Sequence, residues 1–594
     1  MSIISLFVHK NTIVTNVISV CYFCIAATLL LQHNIYEIIS TQYYVISIII
    51  PVALLLMLSM QRMIVTKLSI IDILLYILLI WILFHSIINK VSIDNIFKVV
   101  TLGILYIYAK LCYGKSGNID IIILPFLIIG GIESILFLFD YISGVQEDII
   151  TGGTFGNSAR LSGFLLIGTP VCIHGIKSSN KILRNIYGII FILNNIVIIL
   201  AFSRAAIIGL LFAYVYLAYK NSVIRISKRM IITFIIVFLL LVVSLVFLKY
   251  DSAIGRLLIW KISITKLYPY FLLGKGIDSF TSLYNGVQSE YFSDKFGIFD
   301  NETNLAGFVA YPYNELLNIL IELGLIPCLL IVIMLYILLK SVEYKQETVY
   351  IKSAVIAALI FSMFSYTSKI YPMLLIFIIY FAVLDSNRLS ICKKIVFKPS
   401  GGVRYITIAV LVSIFIFQTI SLVQYEGWKR GNELYGTWDK AGALEEIKRY
   451  TGRFKGSNII MTEYGRILYD MENYEACIEI LNHVAKKFPD PNILVLQARA
   501  YIQINEYDQA EELLIKAANT VPSKFEAKYW LFKLYEKTDI DKAFNIANVI
   551  LCQPIKITSD YVLKVKQEVT AFIKSFPSGA LEAEYRKEEY KCND

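Results

Sequence analysis

The sequence contains little charge for its size. Charged residues make up 17% of the 594 residues, hydrophobic residues make up 57%, and the mean hydropathy is +0.65. Soluble domains average about 25% charged and about 45–50% apolar residues. This deficit excludes a soluble protein with a single core and also a disordered chain. The apolar excess is therefore predicted to lie in lipid.

The sequence also lacks a metal-binding or signal-peptide pattern. Its nine cysteines are scattered, and the one CxxC, Cys21 and Cys24, lies in an apolar run without a second Cys or His pair, so neither a metal nor a cofactor is predicted. The first apolar run is long and many others follow it, so it is predicted to span the membrane rather than to be cleaved. Positive charge lies between apolar runs rather than on one face, so nucleic acid is not an expected partner.

Apolar runs dominate residues 1–424. A spanning helix needs roughly 20 mostly apolar residues, and thirteen such runs occur. They are about 12–31, 43–60, 69–88, 97–112, 119–140, 160–176, 185–202, 205–219, 230–249, 315–339, 353–368, 371–386 and 405–424. The pattern predicts an all-α, polytopic bundle of about 13 spanning helices, within a range of eleven to fourteen.

The distribution of Lys and Arg predicts which way this bundle faces. With a cytoplasmic N-terminus, the inner segments carry 20 basic residues, as the positive-inside rule requires. The short outer loops carry only Lys90, Lys98, Arg160, Arg204 and Lys369. A long loop at 250–314 and the tail from residue 425 then fall outside the membrane.

The tail is predicted to be a helical repeat. Residues 464–490 and 497–523 align at an offset of 33, with Gly465 opposite Ala498 and Pro489 opposite Pro522. Small residues at these places let paired helices approach closely, and the period resembles that of the tetratricopeptide repeat. We therefore predict two domains, a membrane domain at 1–424 and a repeat domain at 425–594. Repeats of this kind bind partners on concave surfaces, so 428–575 is expected to bind a protein partner, or else to be a passive cap on the membrane domain.

Four outer clusters carry unusual polar residues. They are GGTFGNSARLSGFL at 152–165, AFSRAAIIGL at 201–210, the stretch GRLLIWKISITKLYPYFLLGKGIDSF at 255–280 and AYPYNELLNILIELGLI at 310–326. An arginine at such a turn must pair with an anion or reach the interface. The GKG of the third cluster lacks the spacing of a phosphate-binding loop. Glu322 is predicted to lie one turn inside a spanning helix, where a carboxylate is a functional candidate.

Together the clusters resemble the O-antigen ligase and polymerase superfamily of bacterial membrane glycosyltransferases. The matching positions are Thr154-Phe155-Gly156-Asn157, Ser203-Arg204-Ala205, Gly255-Arg256 with Trp260, Gly274-Lys275-Gly276 with Ser279-Phe280, and Tyr313-Asn314 with Gly324. The resemblance covers roughly residues 150–345. It implies a multi-pass protein of the bacterial cytoplasmic membrane, with the repeat domain on the periplasmic side.

The resemblance implies glycan transfer from an undecaprenyl-diphosphate carrier to an acceptor outside the cytoplasmic membrane. Arg204 and Arg256, with Arg160 as a weaker candidate, are expected to hold the diphosphate, because guanidinium binds phosphate bidentately and stays charged. The further candidates for binding substrate are Asn157, Ser203, Trp260, Lys275 and Glu322. The leaving group is already activated, so a metal is not strictly required.

The fourth cluster departs from the family pattern. Family ligases carry His before the Asn of this motif, whereas this chain has Tyr313 before Asn314 and no His in 250–330. Tyr is a poor base at neutral pH, so either Glu315 or Glu322 is the base or the acceptor needs no strong base. We predict that Glu315 or Tyr313 positions the acceptor. The acceptor stays open among a lipid, a growing glycan and an exported protein, that is, among ligase, polymerase and protein O-oligosaccharyltransferase. A non-catalytic partner or scaffold protein and a lipid-linked sugar transporter are the alternatives outside this enzyme class.

Overall fold

The computed structural model describes residues 13–31, 40–60, 64–143, 152–221, 250–342, 345–387, 394–397, 401–437, 440–452 and 454–575. The chain splits into two compact units. The first holds the described residues of Met1–Phe247, Tyr270–Asp278 and Tyr311–Lys429, and the second those of Leu248–Pro269, Ser279–Ala310 and Arg430–Asp594. Most of the predicted outer loop thus groups with the predicted repeat domain, and the division in the tail falls five residues after the predicted one.

The described elements are almost all helices. The first eight are α1 (Ile13–Ala27), α2 (Thr41–Met60), α3 (Ile70–Ile88), α4 (Ile93–Ser116), α5 (Asp120–Ile142), α6 (Ser158–Ile176), α7 (Lys181–Leu200) and α8 (Arg204–Lys220). The next three belong to the second unit: α9 (Tyr250–Lys266), α10 (Phe280–Tyr291) and α11 (Asn301–Leu305). The first unit then continues with α12 (Glu315–Glu322), α13 (Leu325–Lys340), α14 (Gln346–Ser362), α15 (Tyr371–Ser386) and α16 (Gly401–Gly436), and the last seven residues of α16 fall in the second unit.

Seven of the described helices, α2 to α7 and α16, are long and apolar enough to cross a membrane. The apolar helices α1, α13 and α15 are shorter. On α3, Ile80, Phe84 and Ile87 are 67%, 62% and 72% exposed, which is what a lipid-facing stripe at helical spacing requires. The all-α polytopic fold is confirmed. The count of thirteen spans stays a prediction, and the predicted ninth span at 230–249 lies outside the described residues.

Small residues allow close helix packing in the first unit. A Cβ on Gly209 of α8 would lie 2.8 Å from the carbonyl oxygen of Ala357 on α14. One turn further along, the Ser353 hydroxyl of α14 donates to the carbonyl of Ala213 at 2.9 Å. In lipid the hydrophobic effect does not drive helices together, so helices associate through close backbone approach and hydroxyl-to-carbonyl hydrogen bonds.

The predicted tenth span, 315–339, is wrong as a single helix. The structure divides it into α12 and α13 at Leu323–Gly324, where Gly324 has a φ of +89°. The freed backbone groups find partners outside the helix: the Trp81 indole donates to the Leu323 carbonyl at 3.3 Å, and Leu325 N–H donates to the Leu272 carbonyl at 3.1 Å. Glu322 therefore ends a short helix instead of lying one turn inside a long one.

A two-stranded antiparallel ribbon, β1 (Ile64–Lys67) and β2 (Lys394–Phe397), pairs Ile64 with Phe397. Hydropathy gave no sign of these strands. Ser69, which follows β1, caps α3 and donates from its hydroxyl to Asp385 at 2.8 Å. Lys110 lies 2.5 Å from both Asp72 and Asp385, so two buried carboxylates share one ammonium beside the ribbon.

The second unit contains paired helices at a regular spacing. They are α17 (Lys440–Thr451), α18 (Asn458–Asp470), α19 (Tyr474–Lys487), α20 (Pro491–Gln503), α21 (Tyr507–Thr520), α22 (Glu526–Thr538), α23 (Ile540–Cys552) and α24 (Asp560–Lys574). Cys477, Ala510 and Ala543, which are 33 residues apart, are all fully buried. Small residues at the predicted period thus lie where the helices pack together. The assignment to the tetratricopeptide family stays a prediction.

Candidate functional site

A glycine turn meets the broken helix in the first unit. Lys275 N–H donates to the Ile321 carbonyl at 3.0 Å, and Gly276 N–H donates to the Glu322 carbonyl at 2.8 Å. The two backbones are so close that a Cβ on Gly274 would lie 2.5 Å from the Leu323 carbonyl carbon. The turn thus takes up carbonyls at the end of α12, which the helix itself leaves without partners. This contact explains why glycine occurs in both the third and the fourth sequence clusters.

A small, partly open cleft lies beside this junction. Its lining residues are Tyr311, Pro312, Tyr313, Asn314, Glu315, Asn318, Ser365, Tyr366, Ser368 and Lys369. Tyr313 has a φ of +52°, which is uncommon for a residue with a side chain. Asn314 caps α12 by accepting from Leu317 N–H at 3.0 Å. The fourth cluster therefore forms one wall of the cleft, and its Asn orients the helix that carries Glu315.

Charged side chains surround this cleft. Glu315 accepts from Ser368 N–H at 3.2 Å, and the Lys369 ammonium lies 3.9 Å from Glu322 and forms an ion pair with Asp278. Lys98 of α4 donates to the Ser368 carbonyl at 3.4 Å. Burial opposes the charge on Lys369, but attraction to Asp278 and Glu322 outweighs it and raises the lysine pKa above its ordinary value. Lys369 is thus a fixed cation at the cleft.

The first sequence cluster reaches the same cleft through Arg160. Asn157 caps α6 by accepting from Ala159 and Arg160 N–H groups. Arg160 is 6% exposed, and its guanidinium carbon lies 5.8 Å from the ring centroid of Tyr366 in the cleft wall. Upstream, buried Glu133 accepts from Thr154, and a Cβ on Gly153 would lie 2.5 Å from the Glu133 carboxylate. Glu133 therefore holds the glycine turn that leads into α6.

The second sequence cluster lies at the same end of the unit. Arg204 is the first residue of α8, preceded by buried Ser203. The pairings of Gly209 with Ala357 and of Ala213 with Ser353 run in opposite directions along the two helices. The start of α8 therefore lies beside the end of α14, just before the cleft residues Ser365 and Tyr366. Burial lowers the pKa of Arg204, which starts α8 at the edge of the apolar region.

The remaining candidates do not line the cleft. Lys275 is exposed, with its ammonium 5.9 Å from the ring centroid of Tyr270. Arg256 and Trp260 lie on α9 of the second unit and are half-buried. In the part of the chain that the structure describes, no group of three or more His, Cys, Asp or Glu side chains is arranged to hold a metal ion. The structure thus brings Arg160, Tyr313 and Glu315 to one cleft and places Arg204 at the same end of the unit.

Sequence reasoning missed Lys369, which lines this cleft, and also Lys98 and Asp278, which contact residues of its wall. A signal for two of them was present, because Lys98 and Lys369 are exceptions to the positive-inside rule, as are Arg160 and Arg204. Asp278 gave no such signal; it accepts from Asn95 at 2.6 Å and has a φ of +63°. Basic residues on the predicted outer side thus mark the cleft better than any single motif.

The fold and this cleft define a polytopic helical membrane protein with a charged, aromatic-lined site between helix ends. Residues 189–333, which are 145 of the 594 residues, match the family model described as O-antigen ligase. This part of the chain is thus similar to O-antigen ligases, the superfamily that the sequence clusters resemble. The match includes the second, third and fourth sequence clusters. The chain matches none of the curated proteins.

Proposed function

We propose that this protein transfers a glycan from an undecaprenyl-diphosphate carrier to an acceptor at the periplasmic face of the cytoplasmic membrane. The observation that carries the proposal is the cleft at the start of α12, which Lys369 and Glu315 line and where Arg160 lies against the wall residue Tyr366. Cations suit a diphosphate, and a carboxylate beside them suits an acceptor hydroxyl. The similarity to O-antigen ligases supports the same chemistry.

The proposed reaction is an inverting displacement. The acceptor hydroxyl attacks the anomeric carbon, its proton passes to Glu315, and the bond from that carbon to the diphosphate oxygen breaks. The electron pair leaves with the diphosphate, whose growing negative charge is stabilised by Arg204 and Arg160. Arg256 of the second unit is proposed to bind the donor diphosphate from its Gly255-Arg256 motif alone. Fixed cations placed where charge develops are effective because they need no reorganisation during the step. The diphosphate is an activated leaving group, so the step does not strictly need a metal.

The roles of the fourth cluster follow from its geometry. Glu315 is held by Ser368 N–H, so its carboxylate has a fixed position in the cleft. Tyr313 lies edge-on to Tyr366, with ring centroids 5.6 Å apart, an arrangement that suits a side chain positioning a sugar rather than accepting a proton. We therefore assign the base to Glu315 and acceptor positioning to Tyr313. If Glu315→Gln and Tyr313→Phe both keep full transfer activity in membranes, this assignment is wrong.

The test of the function is a deletion strain complemented with variants. Surface glycans and exported glycoproteins would be run side by side for wild type, Arg204→Ala and Arg256→Ala, with Arg184→Ala as the control because Arg184 is an exposed arginine on α7 outside the cleft. Long glycan that stays on its carrier but disappears from lipid or from protein indicates a ligase, and the missing product identifies the acceptor. Collapse to single repeat units indicates a polymerase. Wild-type patterns from both arginine variants would contradict the proposed site.

We also propose that the C-terminal region is a tetratricopeptide-like module on the periplasmic side. The 33-residue spacing of Cys477, Ala510 and Ala543 at helix contacts supports the repeat. Its location would be tested by adding a membrane-impermeant thiol reagent to intact spheroplasts that carry a cysteine in place of the exposed residue Lys524. Labelling only after membrane disruption would place the module in the cytoplasm and overturn the orientation.

A further inference from the structure

Helix α10, from the predicted outer loop, is attached to the repeat region inside the second unit. The Gln288 side chain is 1% exposed, and its amide donates to the Thr520 carbonyl at 2.6 Å and to the Gly307 carbonyl at 2.9 Å. The Ser289 hydroxyl donates to the Lys516 carbonyl at 3.2 Å. Thr520 ends α21, and the last carbonyls of a helix have no partner within it. One buried amide therefore caps a repeat helix and at the same time holds the loop segment around residue 307.

The contacts continue along the loop over successive helix pairs of the repeat. Phe308 packs edge-on against Phe488, which follows α19, with ring centroids 4.9 Å apart. Lys556, after α23, donates to the Asn304 carbonyl at 3.0 Å. Phe296 packs against the buried apolar core of α20 to α24. The loop is thus fixed to three helix pairs, and its apolar side chains extend the core of the repeat.

A second set of contacts links this segment to α9. Glu302 of α11 accepts from Lys261 of α9 at 2.8 Å, from the Tyr291 hydroxyl of α10 at 2.8 Å and from Lys295 at 3.0 Å. Hydrogen bonding from Lys261, together with Lys295 and Tyr291, lowers the pKa of Glu302 to about 2, so it stays charged across the physiological range. Lys261 directly follows Trp260 and lies five residues after Arg256. The contacts therefore run from the repeat through α10 and Glu302 to the helix that carries Arg256.

We propose that the repeat region positions α9, with Gln288 and Glu302 as positioning residues through which it sets the place of Arg256. This inference rests on the proposed function, in which Arg256 contacts the donor diphosphate. From the sequence, the repeat was expected to bind a protein partner or to be a passive cap. Positioning α9 is a further role, different from both. Removing the Gln288 amide frees two buried carbonyls and loosens the attachment of α10, so Arg256 should lose its fixed place. Misplacement of a binding group by about 1 Å can cost about 100-fold in rate.

The test compares Gln288→Met with Gln497→Met in the full chain in membrane vesicles. Gln497 is a matched control, because it is also a glutamine 1% exposed in the second unit, and it donates to Asn482 within the repeat rather than to the loop. Steady-state transfer from the purified lipid-linked donor gives kcat/KM, and hydrogen exchange reports on residues 250–266. Gln288→Met is expected to lower kcat/KM for the donor about tenfold and to speed exchange in α9, whereas Gln497→Met should do neither. If Gln288→Met fails to fold, Ser289→Ala takes its place in the test. This milder change should also lower kcat/KM and speed exchange in α9.

An Arg256→Lys background separates this inference from the proposed function. If Gln288 acts through Arg256, Gln288→Met should have no further effect in that background, because residues acting as one unit are not additive. The inference is overturned if Gln288→Met and Ser289→Ala both keep the wild-type kcat/KM, if both leave exchange in α9 unchanged, or if Gln288→Met costs the same factor with Lys at 256. Wild-type activity of Arg204→Ala and Arg256→Ala would instead contradict the proposed donor site, and exchange in α9 would still report whether the repeat holds that helix.

Discussion

Two groups of charged residues lie at opposite ends of α3 and α4. The ribbon cluster consists of Ser69, Asp72, Tyr106, Lys110 and Asp385, and the cleft cluster consists of Lys98, Asp278, Glu315, Glu322 and Lys369. Lys98 and Lys110 of α4 belong to these groups, and their separation of 12 positions corresponds to roughly 18 Å along a helix. In the ribbon cluster, Lys110 lies within 2.5 Å of both carboxylates, and Tyr106 donates to both. In the cleft cluster, Glu315 and Lys369 line the cleft, and the other three residues contact Ser368 or Lys369 in its wall.

This difference distinguishes charged residues with a structural role from charged residues with a functional role in this fold. A buried ion pair contributes little net stability, but removing one partner leaves the other charge buried and uncompensated. The ribbon cluster is compact, because Lys110 contacts both carboxylates, so its role is to hold α3, α4 and α15 together. The cleft cluster holds the glycine turn and α12 in place while Glu315 and Lys369 face the space between them. Changes in the first should therefore remove the protein, and changes in the second should remove its activity.

The largest effect is expected in the ribbon cluster. Lys110→Met leaves Asp72 and Asp385 facing each other, with side chains only 8% and 0% exposed. Breaking such a pair costs about 3–5 kcal/mol, so little folded protein should reach the membrane. The measurement is the amount of monodisperse protein extracted in mild detergent. Lys110→Met combined with Asp385→Asn removes one of the two charges and should recover part of that amount; a normal yield from Lys110→Met alone would show that the cluster is not structural.

The next effect is expected in the cleft cluster. Glu315→Gln keeps the shape and the acceptor oxygen for Ser368 N–H but removes the proposed base. We expect transfer activity to fall by about 100-fold or more, as for other general bases, with unchanged yield and thermal unfolding temperature. Glu347→Gln, on α14 near Tyr113, is the control carboxylate outside the cleft. Equal loss of yield and activity in Glu315→Gln would mean that Glu315 is structural, which would erase the contrast between the clusters.

A smaller effect is expected at the broken helix that shapes the cleft. Gly324→Ala introduces a side chain at a φ of +89°, with its Cβ 2.6 Å from the Leu272 carbonyl oxygen. Strain of this kind costs about 1–3 kcal/mol, and the chain can relieve it by moving the glycine turn away from α12. Gly188→Ala is the matched control, because nothing lies within 4 Å of the Cβ that it adds to α7. Thermal unfolding in detergent should show a lower midpoint for Gly324→Ala only, and identical midpoints would mean that the turn does not constrain the break.

Part of this organisation could be predicted from the sequence. Hydropathy placed α15 at Tyr371–Ser386, residue for residue, because a long apolar run with polar flanks fixes both ends of a helix. It failed at 315–339, where leucines and isoleucines continue through Leu323–Gly324. The break depends on a turn about 50 residues earlier that takes up the helix carbonyls, and no local pattern carries such a long-range contact.

The candidate site shows the same limit. The motif residues Asn157 and Asn314 were expected to contact substrate or do chemistry, and the structure shows each capping the helix that carries a cleft residue. Lys98 and Lys369 lie more than 250 residues apart in the sequence, so their convergence on Ser368 and Asp278 required the fold. The grouping of the outer loop with the repeat region was not predicted for a similar reason, because the polarity of the loop did not reveal that Gln288 caps a repeat helix.

The smallest effect tests whether a buried cation without a carboxylate behaves differently from Lys110 and Lys369. Lys528 is 2% exposed and donates to the Pro522 carbonyl and the Gln553 side chain, both at 2.6 Å. Burial lowers its pKa to about 7. In the unfolded chain the pKa is about 10.4, so between these values the unfolded state binds more protons, and stability should rise with pH over this range. The rise in the free energy of unfolding is at most about 1.4 kcal/mol per pH unit, and the two carbonyl acceptors reduce it because they favour the ammonium.

Hydrogen exchange of residues 526–538 in the full chain at pH 7 and pH 9, corrected for intrinsic rates, should show greater protection at pH 9. Lys528→Met should remove the difference, whereas Lys524→Met, at an exposed position in the same repeat, should keep it. Equal protection at both pH values in the wild type would mean that the two carbonyls stabilise the ammonium as well as a carboxylate does. The contrast between buried lysines with and without a carboxylate partner would then not extend to the second unit.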